Sequence, residues 1–542
     1  MRAYPLRLPT TPLTIPSLLL RHAALTRGVV VAGWLTLIVL AATVNLQYSP
    51  VTWFDEGSHL HVPKALVQHG VYADTSSDGF RYFGPTTGVG PTVLLPIAGV
   101  FKIAGIGLLQ ARLVMAAYLV VALVIFAVTA RYLHGEMVAL IASLLLLGAP
   151  GIDLLYLGRQ VLGEVPALAF LMLGILLWLK SAEKIDECRA EEIGDSRWLL
   201  LGSGGRGLLL LSSLCFALTA LTKSQFTLIL AGTFVVLFLA NLVYYRALSP
   251  LHTILPFLAV GAGAAIGQVG PLLPLVGTPE LSHTLALARE ASGGAIFVFS
   301  PARVLSSLKF LLGTDLMGAW VLPGLLYGLA LARPRTLQGA RHGLCAIFAC
   351  VGLSWFAFAS IGWPRYAFPG LAIVAIFTAR LLMDLLRAIQ PVSWKPDLAA
   401  ARYAALVCLV VALLGTPVLE QLRTVASTRD ASPQQMAAYL NATVPLSDTV
   451  EGWEPELGFL TDHPYHYPSS GWLDRAVRAR WLGGAPGNLE YDPRSEARSS
   501  YLVVGKFGKY AGVYDSFLQR EHPQFVTSIG PYDLYRLQER QP

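Results

Sequence analysis

Charge is scarce in this sequence. Asp, Glu, Lys and Arg make up 13% of its 542 residues, against about 25% in a soluble globular domain. So few ionised groups cannot cover a water-facing surface of this size, which excludes an ordinary soluble protein. Cysteine is rarer still. Of the five, Cys215, Cys345, Cys350 and Cys408 lie in apolar segments and Cys188 in a charged loop. None falls in the polar C-terminal part, which speaks against a disulfide scaffold or a cysteine-ligated zinc site. That part also lacks a Gly-rich phosphate loop of the dinucleotide type, and no internal repeat is visible.

What the chain has instead is apolar length. Hydrophobic residues reach 54%, and runs of about 18 or more recur, the mark of membrane-spanning helices. Spans are predicted near 29–47, 111–131, 137–156, 164–180, 207–222, 226–246, 252–275, 316–333, 343–361, 367–388 and 403–420. The fold class is therefore a polytopic α-helical membrane protein of about eleven spans, with twelve or thirteen as the alternative counts. A cleaved signal peptide is the competing reading of the first run, but Val29–Leu46 is long for one and lacks a small-x-small exit.

The formal charge of +7 reads as cytoplasmic anchoring rather than a nucleic-acid footprint. With the N-terminus inside, one set of loops carries Arg2, Arg7, Arg21, Arg27, Arg131, Lys184, Arg189, Arg197, Arg206, Arg246, Arg333, Arg335, Arg341, Arg387, Lys395 and Arg402. The opposite loops hold only isolated cations. This bias sets the N-terminus in the cytoplasm and, after eleven spans, the C-terminal part outside. The alternation requires that residues 92–108, "TVLLPIAGVFKIAGIGL", lie at the interface rather than cross.

Residues 1–420 are thus read as the transmembrane module, with 47–110 as its first external loop. Residues 421–542, richer in charge, Pro, Asn and Tyr, are read as a small extracytoplasmic α/β domain.

The external turns collect the residues most expensive to place near lipid. Asp55 and Glu56 stand in "VTWFDEGSHLH", Arg81 and Tyr82 in "RYFGP", Arg159 and Glu164 in "GRQVLGEVPALAF", Lys223 in "LTKSQF", and Arg365 and Tyr366 in "GWPRYAFPG". Each alone could merely end a helix. Their recurrence on successive external turns points to a shared polar cavity. Such a cavity suits transfer from an anionic lipid-linked donor: cations hold its phosphate, and a carboxylate takes a proton from an acceptor hydroxyl.

On these motifs the sequence resembles the GT-C superfamily of polytopic glycosyltransferases that use polyprenyl-phosphate sugars, within it the branch of protein O-mannosyltransferases and lipid A aminoarabinose transferases. "FDEGSHLHVPKALVQHG", "GPTTGVGPTVLLPIAGVFKIAGIGLLQARLVMA", "GRQVLGEVPALAF", "LTKSQF" and "RYAFPGLAIVAIFTARLL" carry the resemblance, together with the tail ending "SIGPYDLYRL". The pattern departs at "FGPTTGVGP", where relatives often show His-Pro-Pro-Leu, and at Glu164, where they often carry Asp.

The resemblance implies an inverting displacement without a nucleotide sugar. Asp55 is the implied base, Glu56 assists or orients it, and Glu164 aligns the acceptor or the donor sugar. Arg81, Tyr82, Lys223 and Arg365 are candidates for the donor phosphate, and Arg159 and Tyr366 complete the candidate substrate-binding set. The implied partners are a polyprenyl-phosphate sugar, an acceptor glycolipid, glycan or protein, and membrane lipid. The implied localisation is the plasma (inner) membrane.

These motifs point to no certain cofactor. A divalent metal on Glu56, His59 and His61 is the weaker reading, since the two-histidine zinc spacing is absent; a polar cavity residue is the better account of His59. His463 and His466 are expected in a surface loop. A flap is expected over 277–302, around Gly293 and Gly294. A transporter or flippase of a lipid-linked sugar is the functional alternative, disfavoured because no repeated halves are visible.

Overall fold

The computed structural model describes residues 17–82, 88–149, 151–191, 203–292, 298–313, 316–388, 396–481 and 490–538. The chain is mostly helical. Backbone polar groups find no water in a lipid core, so each long apolar run closes its hydrogen bonds within itself. The helices are α1 (Ser17–Thr43), α2 (Phe54–His69), α3 (Pro91–Ala104), α4 (Leu108–His134), α5 (Glu136–Gly148), α6 (Leu154–Arg159), α7 (Glu164–Glu191) and α8 (Ser203–Thr222). They continue as α9 (Ser224–Ala240), α10 (Leu251–Val269), α11 (Pro279–Ser292), α12 (Pro301–Leu311), α13 (Leu316–Ala332), α14 (Leu337–Ala359), α15 (Phe368–Ala388) and α16 (Pro396–Ser427).

Among the described residues eight helices are long and apolar enough to cross a membrane. Every predicted span falls on a helix, though not always on an unbroken one. The expected span 137–156 is α5, a break, and then α6. The break includes Asp153 in the left-handed conformation at φ 50°, which Asp tolerates better than most residues. The expected span 252–275 is α10 followed by a 3-10 turn over Gly270–Leu275.

Helix α3 has 14 residues, about 21 Å of helix, less than the roughly 30 Å of a hydrocarbon core. It buries Val93, Leu94, Ile97, Ala98 and Phe101 and exposes Leu95 and Ile103. Gly105, at φ +84°, ends it before α4 begins.

Small residues let the membrane helices approach closely. At Gly263 of α10, a Cβ would come within 2.2 Å of the Ala217 carbonyl of α8.

Beyond α16 the chain forms α17 (Ser432–Thr443), α18 (Pro455–Leu460) and a five-stranded sheet. An earlier hairpin, β1 (Asp74–Ser76) with β2 (Gly79–Arg81), lies in the first loop. The sheet comprises β3 (Val450–Gly452), β4 (Tyr465–His466), β5 (Tyr501–Val504), β6 (Gln524–Ile529) and β7 (Tyr532–Arg536), in the order β4-β3-β5-β7-β6. β3 runs parallel to β4 and β5, and β7 runs antiparallel to β5 and β6. Val450, Trp453, Leu502, Val503 and Leu534 form its core.

Phe54 of α2 joins that core, stacking on Phe507 with ring centroids 4.0 Å apart. Lys64 of α2 donates to the carbonyls of Gly458, Phe459 and Thr461 around the end of α18. Helix α2 is therefore held between the membrane helices and the sheet region.

Candidate functional site

Adjacent helix residues point about 100° apart, so Asp55 and Glu56 at the start of α2 serve different neighbours. The Asp55 carboxylate pairs with the Arg365 guanidinium. That guanidinium lies over the Trp363 ring at 4.7 Å and near Tyr366 at 5.8 Å; Tyr366 in turn stacks on Trp355. The Asp55 and Arg365 side chains keep 16% and 17% exposure, so the pair retains access to solvent.

Lys223, between α8 and α9, forms the second pair. Its backbone bridges Val89, and Gly90 N–H donates to the Thr222 carbonyl at 2.9 Å. The strand before α3 thereby fixes the turn that carries the lysine. Lys223 Nζ stands 3.2 Å from Glu164 Oε1. Glu164 is fully buried, and its other oxygen, Oε2, has no hydrogen-bond partner among the described residues. The two pairs form one electrostatic cluster, Lys223 acting on Asp55 and Glu164 on Arg365. Burial works to raise the Asp55 carboxyl, but Arg365, with Lys223 behind it, outweighs burial and holds it below its ordinary value. Asp55 is a carboxylate at neutral pH.

His59 lies one turn along α2 from Asp55, on the same side. It is 3% exposed, and its Nδ1 meets the Val161 carbonyl at 2.6 Å. Burial, and then Lys223, lower it to about 4. It is neutral, so Nδ1–H is the donor to Val161.

The remaining sequence candidates are placed elsewhere. Both oxygens of Glu56 are bound by Arg112 of α4, Nε–H donating to Oε1 at 2.9 Å and Nη2–H to Oε2, with both side chains fully buried. Arg112 also donates to the Leu46 carbonyl at 2.8 Å. Glu56 thus locks the rotation of α2 and does not join Asp55 in that cluster. Its signal in the sequence is an arginine just inside an apolar run, which needs a buried partner.

Arg159 is spent on carbonyls at the end of α1, those of Ala41, Val44 and Ser49. Arg81 donates to the Tyr467 carbonyl at 2.7 Å and to both oxygens of Asp78, joining the first loop to the sheet region. These two arginines are structural ties rather than members of the cluster. Tyr82 lines a cavity of about 250 Å³ with Val89, Leu94, Leu221 and Pro271; Val89 is the residue that bridges Lys223. Residues 83–87 of the "RYFGPTTGVGP" stretch, and Gly293 and Gly294 of the expected flap, lie outside the described residues.

His463 and His466 are not surface residues: they are 6% and 3% exposed. His466 is taken up by Glu451 and Asp78, because β4 packs under the first loop. Burial would lower His466, but those two carboxylates raise it to about 9. Both nitrogens of His61 are engaged, with Thr75 and the Pro455 carbonyl, and no group of three or more metal-ligating side chains occurs among the described residues.

By sequence the chain matches no family model and no curated protein. By structure its fold is similar to those of solved proteins. It is similar to ArnT from Cupriavidus metallidurans bound to undecaprenyl phosphate, at a TM-score of 0.60 and 13% identity over 94% of this chain and 98% of that one. The apo state of the same protein matches with a TM-score of 0.59 and 14% identity, over 95% of this chain and 98% of that one. The oligosaccharyltransferase AglB from Archaeoglobus fulgidus, in complex with an inhibitory peptide and a dolichol-phosphate, matches with a TM-score of 0.54 and 11% identity, over 94% of this chain and 74% of that one.

Proposed function

We propose that this chain is an integral membrane glycosyltransferase that moves a hexose or pentose from a polyprenyl-phosphate donor to an acceptor on the extracytoplasmic face of the plasma membrane. The observation that carries the reading is the convergence of Asp55, Arg365, Lys223 and Glu164 in one cluster beside an apolar cavity. Acids and cations brought together from four separate turns among apolar helices mark a candidate site for a charged ligand. The likeness of fold adds weight, since ArnT and AglB bind undecaprenyl phosphate and dolichol phosphate.

The polyprenyl chain enters the cavity lined by Val89, Leu94 and Leu221, which leaves the phosphate beside Lys223 and Arg365. Asp55 removes the proton of an acceptor hydroxyl, and that oxygen attacks the anomeric carbon from the face opposite the phosphate. The bond from the anomeric carbon to the phosphate oxygen breaks, and its electron pair leaves on the polyprenyl phosphate. Lys223 and Arg365 stabilise the extra negative charge as it develops. An acceptor phosphate is already ionised and needs no base. Glu164 aligns sugar or acceptor hydroxyls. The N-terminus lies in the cytoplasm, and residues 421–542 form the external domain that supports α2.

The test is radiolabelled undecaprenyl-phosphate sugar offered to purified full-length protein in detergent, with membrane lipids and envelope glycans as acceptors. Sugar transfer without a membrane gradient, abolished in Asp55→Asn, is the expected result. Gradient-driven movement of the lipid without transfer would instead identify a flippase. Comparing the lipids, glycans and proteins of the envelope with and without the chain identifies the acceptor.

A further inference from the structure

We propose that His59 is a substrate-binding residue: its Nε2 accepts a hydrogen bond from a hydroxyl of the transferred sugar, and with Glu164 it forms a subsite for a neutral, hydroxyl-rich sugar. The inference rests on the glycosyl-transfer reading and adds to it the chemistry of the sugar pocket. His59 is 3% exposed, and one ring nitrogen is committed to the Val161 carbonyl at 2.6 Å. Neutral imidazole carries one proton. With that proton on Nδ1, Nε2 presents a bare lone pair, and no partner takes it among the described residues.

The ring lies one turn from Asp55 on the same side of α2 and is tied to Val161, three residues before Glu164, which places it beside both ion pairs. Glu164 brings a second, independent demand, because Oε2 of this fully buried carboxylate has no hydrogen-bond partner among the described residues, Lys223 being on Oε1. Buried polar groups are ordinarily satisfied. The site therefore offers two unused acceptor atoms, Glu164 Oε2 and His59 Nε2, beside one lysine, and a ligand that fits it must donate. Sugar hydroxyls do so. The Lys223 charge already neutralises Glu164, so the subsite has no surplus negative charge to select an aminosugar.

Two variants separate contact from scaffolding. In His59→Asn the side-chain amide takes the place of Nδ1–H and keeps the Val161 bond, but nothing replaces Nε2. In His59→Gln the amide oxygen reaches the Nε2 position and the Val161 bond is lost. Binding of undecaprenyl phosphate and of undecaprenyl-phosphate-linked mannose, glucose and aminoarabinose to the full-length protein is measured by titration, alongside thermal unfolding.

The neutral-sugar lipids are expected to bind more tightly than undecaprenyl phosphate alone. His59→Asn should reduce that increment about five- to tenfold, as for one hydrogen bond, leaving undecaprenyl phosphate binding and the unfolding midpoint unchanged. His59→Gln should lower the midpoint and retain most of the increment. An unchanged sugar increment in His59→Asn overturns the proposal, as does absence of any increment or a preference for aminoarabinose. Failure of undecaprenyl phosphate itself to bind strikes the glycosyl-transfer reading instead.

Discussion

The Asp55 carboxylate is paired with the Arg365 guanidinium, a residue 310 positions further along the chain. One residue away, Glu56 points about 100° to the side and is held by Arg112. Two adjacent acids thus divide the work: Asp55 keeps access to solvent, and Glu56 fixes the helix that presents it.

Replacing Asp55 by Asn removes the proposed base while leaving a side chain of the same shape. Transfer to a hydroxyl acceptor is expected to fall by about 10²- to 10⁴-fold, the usual worth of a positioned general base. Expression and elution volume of the purified protein should match the native chain. Full activity would remove Asp55 from the mechanism.

The pH dependence follows from the Asp55–Arg365 pair. Because the Asp55 carboxyl is held below its ordinary 3.8, both its activity as base and its contribution to stability persist down through neutral pH. They are lost only as pH falls through the depressed value. In Arg365→Gln burial is no longer outweighed by that guanidinium, so the acid limb of kcat/KM should move upward. A limb that stays in place would show that Arg365 does not control Asp55.

Glu56 and Arg112 are both fully buried. Arg112→Met leaves an unpaired buried carboxylate and should cost about 3–5 kcal/mol, measured by thermal or denaturant unfolding in detergent. The double change Glu56→Gln with Arg112→Met should recover most of that loss, because no charge is then stranded.

Gly57 lies where α2 meets α18. A Cβ there would stand 2.1 Å from the Glu456 backbone nitrogen, a group that cannot rotate away. Gly57→Ala should therefore separate α2 from α18 and destabilise the protein by at least about 1–3 kcal/mol. Limited proteolysis between α16 and β3 should accelerate.

His466 provides an alkaline test of the sheet region. Its value is raised from 6.5 to about 9, so its stabilising contribution is complete below about 6.5 and is lost as pH rises through 9. Unfolding midpoints should decline across that window, and Glu451→Gln should flatten the decline.

The spans were legible because the bilayer imposes a local rule: an apolar run of sufficient length becomes a helix whatever it touches. The predicted runs 111–131, 207–222 and 367–388 accordingly coincide with helices. Where the rule weakened, so did the reading. The 137–156 run looked continuous, yet the chain turns at Asp153 to bring α6 back beneath α1. His463 and His466 occupy a polar stretch, yet the first loop covers them.

Among the site residues, the isolation of Asp55, Glu164, Lys223 and Arg365 in apolar surroundings marked all four. Arg81 and Arg159 carried the same mark for a different cause. An arginine near a membrane helix end looks alike in sequence whether it meets a ligand or, as with Arg159, the carbonyls of a neighbouring helix.

The sequence by itself determined the helices, and it singled out the few ionised residues, since hydropathy and desolvation act on each segment alone. Only the tertiary structure decided which of those charges meet, because pairing depends on how each helix is rotated against its neighbours. A turn of 100° per residue sends Asp55 to Arg365 and Glu56 to Arg112, and that rotation is set by contacts made hundreds of residues away.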